Sequence, residues 1–222
     1  MWREDLIAGA RLLGLELTTR QVEQFAVYLR ELKRWNKTYN LTTITEPLEV
    51  VSKHFLDSLN YLTPLDGVGE VLDLGSGPGF PGLPLAIVLP KTKFTLVEAR
   101  RKKTIFLTFV SRQLNLENVE IIHLHLSRGN ARTVFERYFP VIVSRAVTVL
   151  RDVVPVASNL LAADGCLLFT DAHPDRQEIE LELGKWPDLF LENLEKTRLP
   201  GRAPDLYIGI IRKRVTADNL GT

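Results

Sequence analysis

The 222-residue sequence predicts an α/β fold: a doubly wound, mostly parallel seven-stranded sheet of Rossmann-like type, preceded by an N-terminal helical cap. Three observations carry this reading. Apolar, β-rich runs at about 70–75, 93–98, 119–124, 140–144 and 165–170 alternate with helical stretches, the rhythm of βαβ units. The first run continues through Asp73 into a glycine-dense turn, Gly75-Ser76-Gly77-Pro78-Gly79-Phe80-Pro81-Gly82. Residues 1 to about 65, by contrast, carry helical periodicity and no strand signal.

In chain order, Thr19 reads as an N-cap, and Val22, Phe25, Ala26, Leu29, Leu32 and Trp35 then recur at i, i+3, i+4, i+7 on one helix face. Core packing explains Trp35 on that face. Asn36 and Asn40 suit local hydrogen bonds that organise the following loop. A second helix opens at Pro47 and carries Leu48, Val51, Phe55, Leu59 and Leu62 along one side. Asp66-Gly67-Val68-Gly69 is the expected joint between a cap at 1–65 and an α/β domain at 66–222. Beyond the fifth run, segments near 189–197 and 205–212 follow with no clear helix before them and read as an antiparallel hairpin at the sheet edge. There is no internal repeat and no low-complexity tract.

The glycine turn points to a nucleotide-like cofactor. Gly75, Gly77 and Gly79 lack Cβ, so the backbone there can take positive φ and approach a ligand closely. Pro81 suits the first turn of a following helix. Glu98 ends the second run, 23 residues after Gly75, about where an acid meets a ribose hydroxyl in doubly wound folds. Read from Gly77, the segment matches the dinucleotide pattern G-x-G-x-x-G, but two residues late. Read from Asp73, it is D-x-G-x-G-x-G, which resembles the turn of class I S-adenosylmethionine-dependent methyltransferases. A cationic sulfonium cofactor makes better use of carboxylates beside the turn than a pyrophosphate does. A dinucleotide enzyme and a tight turn without ligand stay open as alternatives at this level.

Composition narrows the class. Hydrophobic residues at 45% and charged residues at 25% exclude a disordered chain, and this length buries about 70% of the unfolded surface. The single cysteine, Cys166, lies in an apolar run and reads as a buried strand thiol, which suits a reducing cytoplasm. No stretch has the length or apolarity of a membrane span or signal peptide. A net charge of +1 gives no global attraction for nucleic acid, so RNA binding would rest on a local patch. Arg100-Arg101-Lys102-Lys103 is that candidate, because cations at a helix start oppose the macrodipole unless a phosphate compensates them. A solvated helix start explains the same run equally simply.

Taken together, Trp35-Asn36-Lys37-Thr38-Tyr39-Asn40-Leu41-Thr42, Lys53-His54-Phe55-Leu56-Asp57-Ser58-Leu59, the turn from Asp73 to Pro84, and Ser144-Arg145-Ala146 make nearly the whole chain similar to the ribosomal RNA small subunit methyltransferase G family, also called glucose-inhibited division protein B. The resemblance implies a class I methyltransferase fold, S-adenosylmethionine as cofactor, and methyl transfer to guanine N7 in 16S ribosomal RNA, within the small ribosomal subunit. It implies a cofactor site formed by Asp73, Gly75, Gly77, Gly79, Phe80, Glu98, Leu126, Ser127 and Arg145, with Arg145 also the catalytic candidate at the mouth. Lys53, His54, Arg100, Arg101, Lys102 and Lys103 are the expected RNA contacts; no metal is expected, and a monomer is. Simpler roles exist for two of these residues: a salt-bridging strand-end arginine for Arg145 and a packing residue for His54.

The family pattern is broken in three places. Leu126-Ser127 stands where a small residue and a glutamate are usual, Asp171-Ala172 where lysine-glycine is usual, and Leu206-Tyr207 where arginine-histidine is usual, with Arg202 a possible substitute. Two functions follow: an active RNA guanine-N7 methyltransferase, or a catalytically altered protein of the same fold that binds cofactor and ribosome.

Overall fold

The computed structural model describes residues 1–145, 150–197, 199 and 204–215. The cap begins with α1 (Trp2–Leu12) and α2 (Thr19–Tyr39). The cap of α2 is Thr18, one residue before the expected Thr19; its hydroxyl accepts from the Gln21 N–H, and Gln21 answers with its own side chain to the Thr18 N–H. Asn40 closes α2 in the left-handed conformation at φ 47°, and Asn36 Oδ1 accepts from the Thr42 N–H at 2.8 Å, so both asparagines organise the loop as their chemistry suggests. The segment expected as one helix from Pro47 is interrupted. α3 (Pro47–Val50) widens into a π-helical stretch at Val51–Leu56 and resumes as α4 (Asp57–Leu59). The stretch contains His54, which is turned under the sheet's carboxyl edge.

The sheet alternates with helices as the periodicity implies: β1 (Glu70–Leu74), α5 (Gly82–Val88), β2 (Lys93–Glu98), α6 (Arg101–Gln113), β3 (Val119–His123), α7 (Ala131–Val134), β4 (Phe139–Arg145), α8 (Leu150–Leu160), β5 (Leu161–Asp171), α9 (Arg176–Leu183), β6 (Leu189–Lys196) and β7 (Tyr207–Lys213). The strands order as β3-β2-β1-β4-β5-β7-β6. The first five are parallel, while β7 runs antiparallel to both β5 and β6, so the expected hairpin does close the edge. The helix α9 was not legible. Its sequence alternates Ile179, Leu181 and Leu183 at period two, and Leu181 points outward at 76% exposure, which hides the helical stripe.

Two apolar clusters flank the sheet. One face packs against α5, α6 and the whole cap in a single continuous cluster that runs from Leu6 through Phe55 and Phe106 to Ile208. The other face packs α7, α8 and α9. Cap and sheet therefore share one core rather than meeting as separate units. Cys166 is buried in β5, and burial pushes its thiol up to about 11. Among the described residues, no helix is long and apolar enough to cross a membrane.

Candidate active site

Parallel strands bring Leu74, Glu98 and Arg145 to one carboxyl edge, the place where open α/β sheets bind ligands. The glycine turn is built there by backbone bonds. The N–H groups of Gly75 and Ser76 both donate to the Val97 carbonyl, at 2.9 and 3.1 Å. Gly75 and Gly77 sit at φ +72° and +59°, which side-chain-bearing residues adopt only under strain. A Cβ at Gly75 would stand in open space, so the missing side chain leaves room for a ligand rather than for protein.

Two carboxylates shape this turn. Asp73 is fully buried, and its Oδ2 accepts from the Gly82 N–H at 3.0 Å, pinning the start of α5. Gly82 must be glycine, because a Cβ would lie 2.5 Å from that oxygen. Burial pushes the Asp73 carboxyl up to about 7, and its Oδ1 is buried without a partner. Glu98, also buried, accepts from the Gly77 N–H at 2.8 Å through one oxygen and from the Arg100 N–H at 2.7 Å through the other. It therefore ties the turn to the start of α6. Lys103 lies beside Gly77, with Nζ 3.7 Å from where a Cβ would be; burial lowers its pKa against the pull of Glu98.

Several expected roles change. Phe80 is 2% exposed and is not an open cofactor wall. It is sandwiched between the Tyr28 ring at 5.3 Å and the His54 ring at 4.3 Å, with the Arg145 guanidinium 4.8 Å from its centre. Gly79 likewise faces the cap: a Cβ there would lie 2.5 Å from both Tyr28 Oη and Leu83 Cδ1, and Tyr28 donates to the Pro78 carbonyl at 2.6 Å. Arg145 is not a salt-bridging strand end. Its guanidinium donates to the Lys53 carbonyl at 2.9 Å and to His54 Nδ1 at 2.8 Å, folding back onto the cap. Nδ1 also lies 3.1 Å from the Lys53 carbonyl, but arginine can only donate, so the shorter Arg145 contact assigns Nδ1 as acceptor and the ring proton to Nε2, 3.0 Å from Thr42 Oγ1.

His54 is 5% exposed, and burial together with Arg145 lowers its pKa to about 3. A buried, neutral ring with both nitrogens engaged is not a phosphate contact; its place in the expected RNA set is corrected to that of an organiser of Arg145. Lys53 stays at the surface, paired with Glu49 at 2.6 Å. Arg100, Arg101 and Lys102 are exposed at the start of α6, whereas Lys103 is drawn in toward the turn. Leu126 packs against the second core cluster, and Ser127 donates from both its N–H and its hydroxyl to Asn130 Oδ1, at 2.8 and 3.2 Å. These bonds close the turn that precedes the short helix α7. Leu206 is buried at 7% exposure; Arg202 lies outside the described residues. Sequence reading missed Tyr28 and Tyr61. The first lies on the α2 stripe between Phe25 and Leu32, and the second donates to the Ser144 carbonyl at 2.9 Å, holding the cap to the end of β4.

The donor set fits S-adenosylmethionine: room above Gly75, an unpaired buried carboxylate oxygen, and a second carboxylate at the end of β2 for a cofactor that carries positive charge. Solved structures share the fold. A SAM dependent methyltransferase from Aquifex aeolicus aligns with TM-score 0.58 at 14% identity, over 78% of this chain and 97% of that one. TrmN from Thermus thermophilus aligns with TM-score 0.57 at 16% identity, over 82% and 52%.

The sheet order and the acid-flanked glycine turn define a class I S-adenosylmethionine-dependent methyltransferase. The family described as "GidB: rRNA small subunit methyltransferase G" matches residues 21–198. Ribosomal RNA small subunit methyltransferase G of Ectopseudomonas mendocina is 40% identical over 215 residues, covering 96% of each chain, and that of Neisseria meningitidis is 34% identical over 96% of this chain and 99% of the other. The chain belongs to the ribosomal RNA small subunit methyltransferase G family.

Three outcomes are expected from this geometry. Gly75→Ala, strained by φ but spatially free, should cost about 1 kcal/mol of stability and weaken S-adenosylmethionine binding at least about tenfold by calorimetry. Gly79→Ala, which collides with Tyr28 and Leu83, should instead cost roughly 2–4 kcal/mol in urea unfolding. For His54, the unfolded ring takes a proton below about 6.5 and the folded ring only near 3, so the stability it contributes is present above pH 6.5 and is lost as pH falls toward 3. His54→Gln should therefore flatten the stability–pH slope between pH 6 and 4 by up to about 1.4 kcal/mol per pH unit, and an unchanged slope would show that His54 does not titrate in this way.

Proposed function

We propose that this methyltransferase modifies guanine N7 in 16S ribosomal RNA, in the small ribosomal subunit, acting as a cytoplasmic monomer. The observation that carries the reading is that the titratable side chains packed around the glycine turn are engaged in shaping it. Asp73 holds Gly82, Glu98 holds Gly77 and Arg100, and His54 is neutral with both ring nitrogens engaged. Guanine N7 has an available lone pair and no proton to lose, so its alkylation requires alignment rather than proton abstraction.

When bound, S-adenosylmethionine supplies an electrophilic methyl group on a sulfonium. The chain's own contribution is to hold and orient. Gly75 and Gly77 shape the backbone cradle, Asp73 fixes the start of α5, Glu98 provides negative charge, and Lys103 stands beside the turn as a counter-cation for a carboxylate. Arg145, fixed by His54 and the Lys53 carbonyl, borders the mouth from the cap side and aligns the edge of the site. Arg100, Arg101 and Lys102, exposed at the start of α6, and Lys53 on the cap lie where RNA phosphates would approach. The membership of the chain in a family named for ribosomal RNA supports the substrate class.

Incubation with labelled cofactor and small subunits lacking the modification should yield 7-methylguanosine on nucleoside mass spectrometry. Cofactor binding without transfer to subunits or to free RNA would replace this reading with that of a catalytically altered, ribosome-binding relative. Replacing Arg100, Arg101 and Lys102 by serine should lower the slope of log affinity against log salt by roughly two, at about 0.7 per single-strand phosphate contact. An unchanged slope would remove this patch from the RNA face.

A further inference from the structure

A groove of about 630 Å³ lies outside the cofactor turn, between the last turns of α2 and the outer face of α6, and nothing so far assigns it a role. Its apolar walls are Trp35, Ile105 and Phe109; Arg101, Arg112 and His123 stand around it, and among the described residues no carboxylate lines it. Ile105 is 50% exposed, although the rest of the apolar stripe of α6 is turned inward. The Trp35 and Phe109 rings lie 5.1 Å apart, tilted by 37°, with the Arg34 guanidinium 5.9 Å from the Phe109 ring. Trp35 Nε1 is buried without a hydrogen-bond partner, an unmet donor that most buried indoles satisfy.

We infer that this groove holds an unpaired nucleobase of the RNA substrate, away from the reacting base, with neighbouring phosphates on Arg101 and Arg112. The inference rests on the proposed RNA substrate and adds a second anchoring point to it. An aromatic wall framed by cations is the combination that single-stranded nucleic acid requires: rings stack on any base and guanidinium groups neutralise the backbone. The position also fits. His123 is the register partner of Glu98, and the Thr104 hydroxyl donates to the Glu98 carbonyl at 3.3 Å, so the groove begins where the cofactor edge ends. An RNA strand seated over the glycine turn would continue directly into it. Trp35, whose burial alone would explain it as a packing residue, thus serves two surfaces at once.

The test uses the full chain and the double variant Ile105→Glu, Arg112→Glu, whose side chains are exposed and whose replacement leaves the core intact. Small subunits lacking the modification serve in binding and methyl-transfer assays, and subunits carrying 4-thiouridine in photo-crosslinking. The double variant should bind subunits at least about tenfold more weakly, bind S-adenosylmethionine like the parent, and lose a crosslink that maps to Trp35 or Phe109 in the parent. The single variant Arg112→Lys should keep most of the parent's affinity. Equal subunit affinity for parent and double variant, or crosslinks mapping only elsewhere, would overturn the groove. If the parent methylates subunits while the double variant binds them as well as the parent does, the proposed function stands and the groove falls. If the parent binds subunits more tightly than the double variant and crosslinks at Trp35 or Phe109 but transfers no methyl, the groove stands and the proposed activity falls.

Discussion

The stack around Phe80 is the contact on which the rest of the site depends. The ring belongs to the glycine turn, but its neighbours come from elsewhere: Tyr28 from α2, His54 from the π-helical stretch of the cap, and Arg145 from the end of β4. Aromatic burial supplies the bulk of the attraction, and stacking adds about 0.5–1.5 kcal/mol for a pair. A polar chain then fixes the geometry. Arg145 donates to His54, and His54 donates to Thr42, whose hydroxyl also accepts from the Ile44 N–H. The cap is thus part of the active-site architecture, and its helices are the back wall of the turn that faces the cofactor.

The two acids at the carboxyl edge show how one residue type serves two ends. Asp73 is sealed beneath the turn, where burial raises its pKa and its one bonded oxygen sets the position of α5. Glu98 closes the turn from the neighbouring strand and also holds the start of α6. That helix begins with cations rather than acids, against its own dipole. Glu98 offsets part of this cost through the Arg100 N–H and through its field on Lys103. The remaining cations are exposed beside the cofactor edge, where the local electrostatic cost becomes useful only if an anion arrives.

Much of this was legible from the chain. Apolar runs gave the first four parallel strands to within a residue or so, because a strand buried on both faces is continuously apolar, whereas β5 begins at Leu161, four residues before its expected start. The closing hairpin was legible for the same reason. Helix α9 was not, because its apolar residues fall at period two and one of them, Leu181, faces outward. Within the site, positive φ at Gly75 and Gly77 followed from the motif, and the place of Glu98 at the end of β2 from its spacing, although its bonds to the Gly77 and Arg100 N–H groups did not. The roles of Gly79, Phe80, His54 and Arg145 did not, since each is decided by a partner more than 20 residues away: Tyr28 for Gly79, and the mutual contact of the other three.

The sequence by itself determined the fold class and the acid-flanked glycine turn, because these rest on periodicity and on residue types within short windows, while the cofactor class and the family came from its resemblance to known relatives. Only the tertiary structure decided that Gly75 faces open space and Gly79 faces protein, since both take positive φ and differ only in what lies opposite. It also decided that His54 is a neutral partner of Arg145 rather than a surface cation, because burial and the direction of a single hydrogen bond set its charge. No local pattern encodes either outcome; both arise when the cap closes over the carboxyl edge of the sheet.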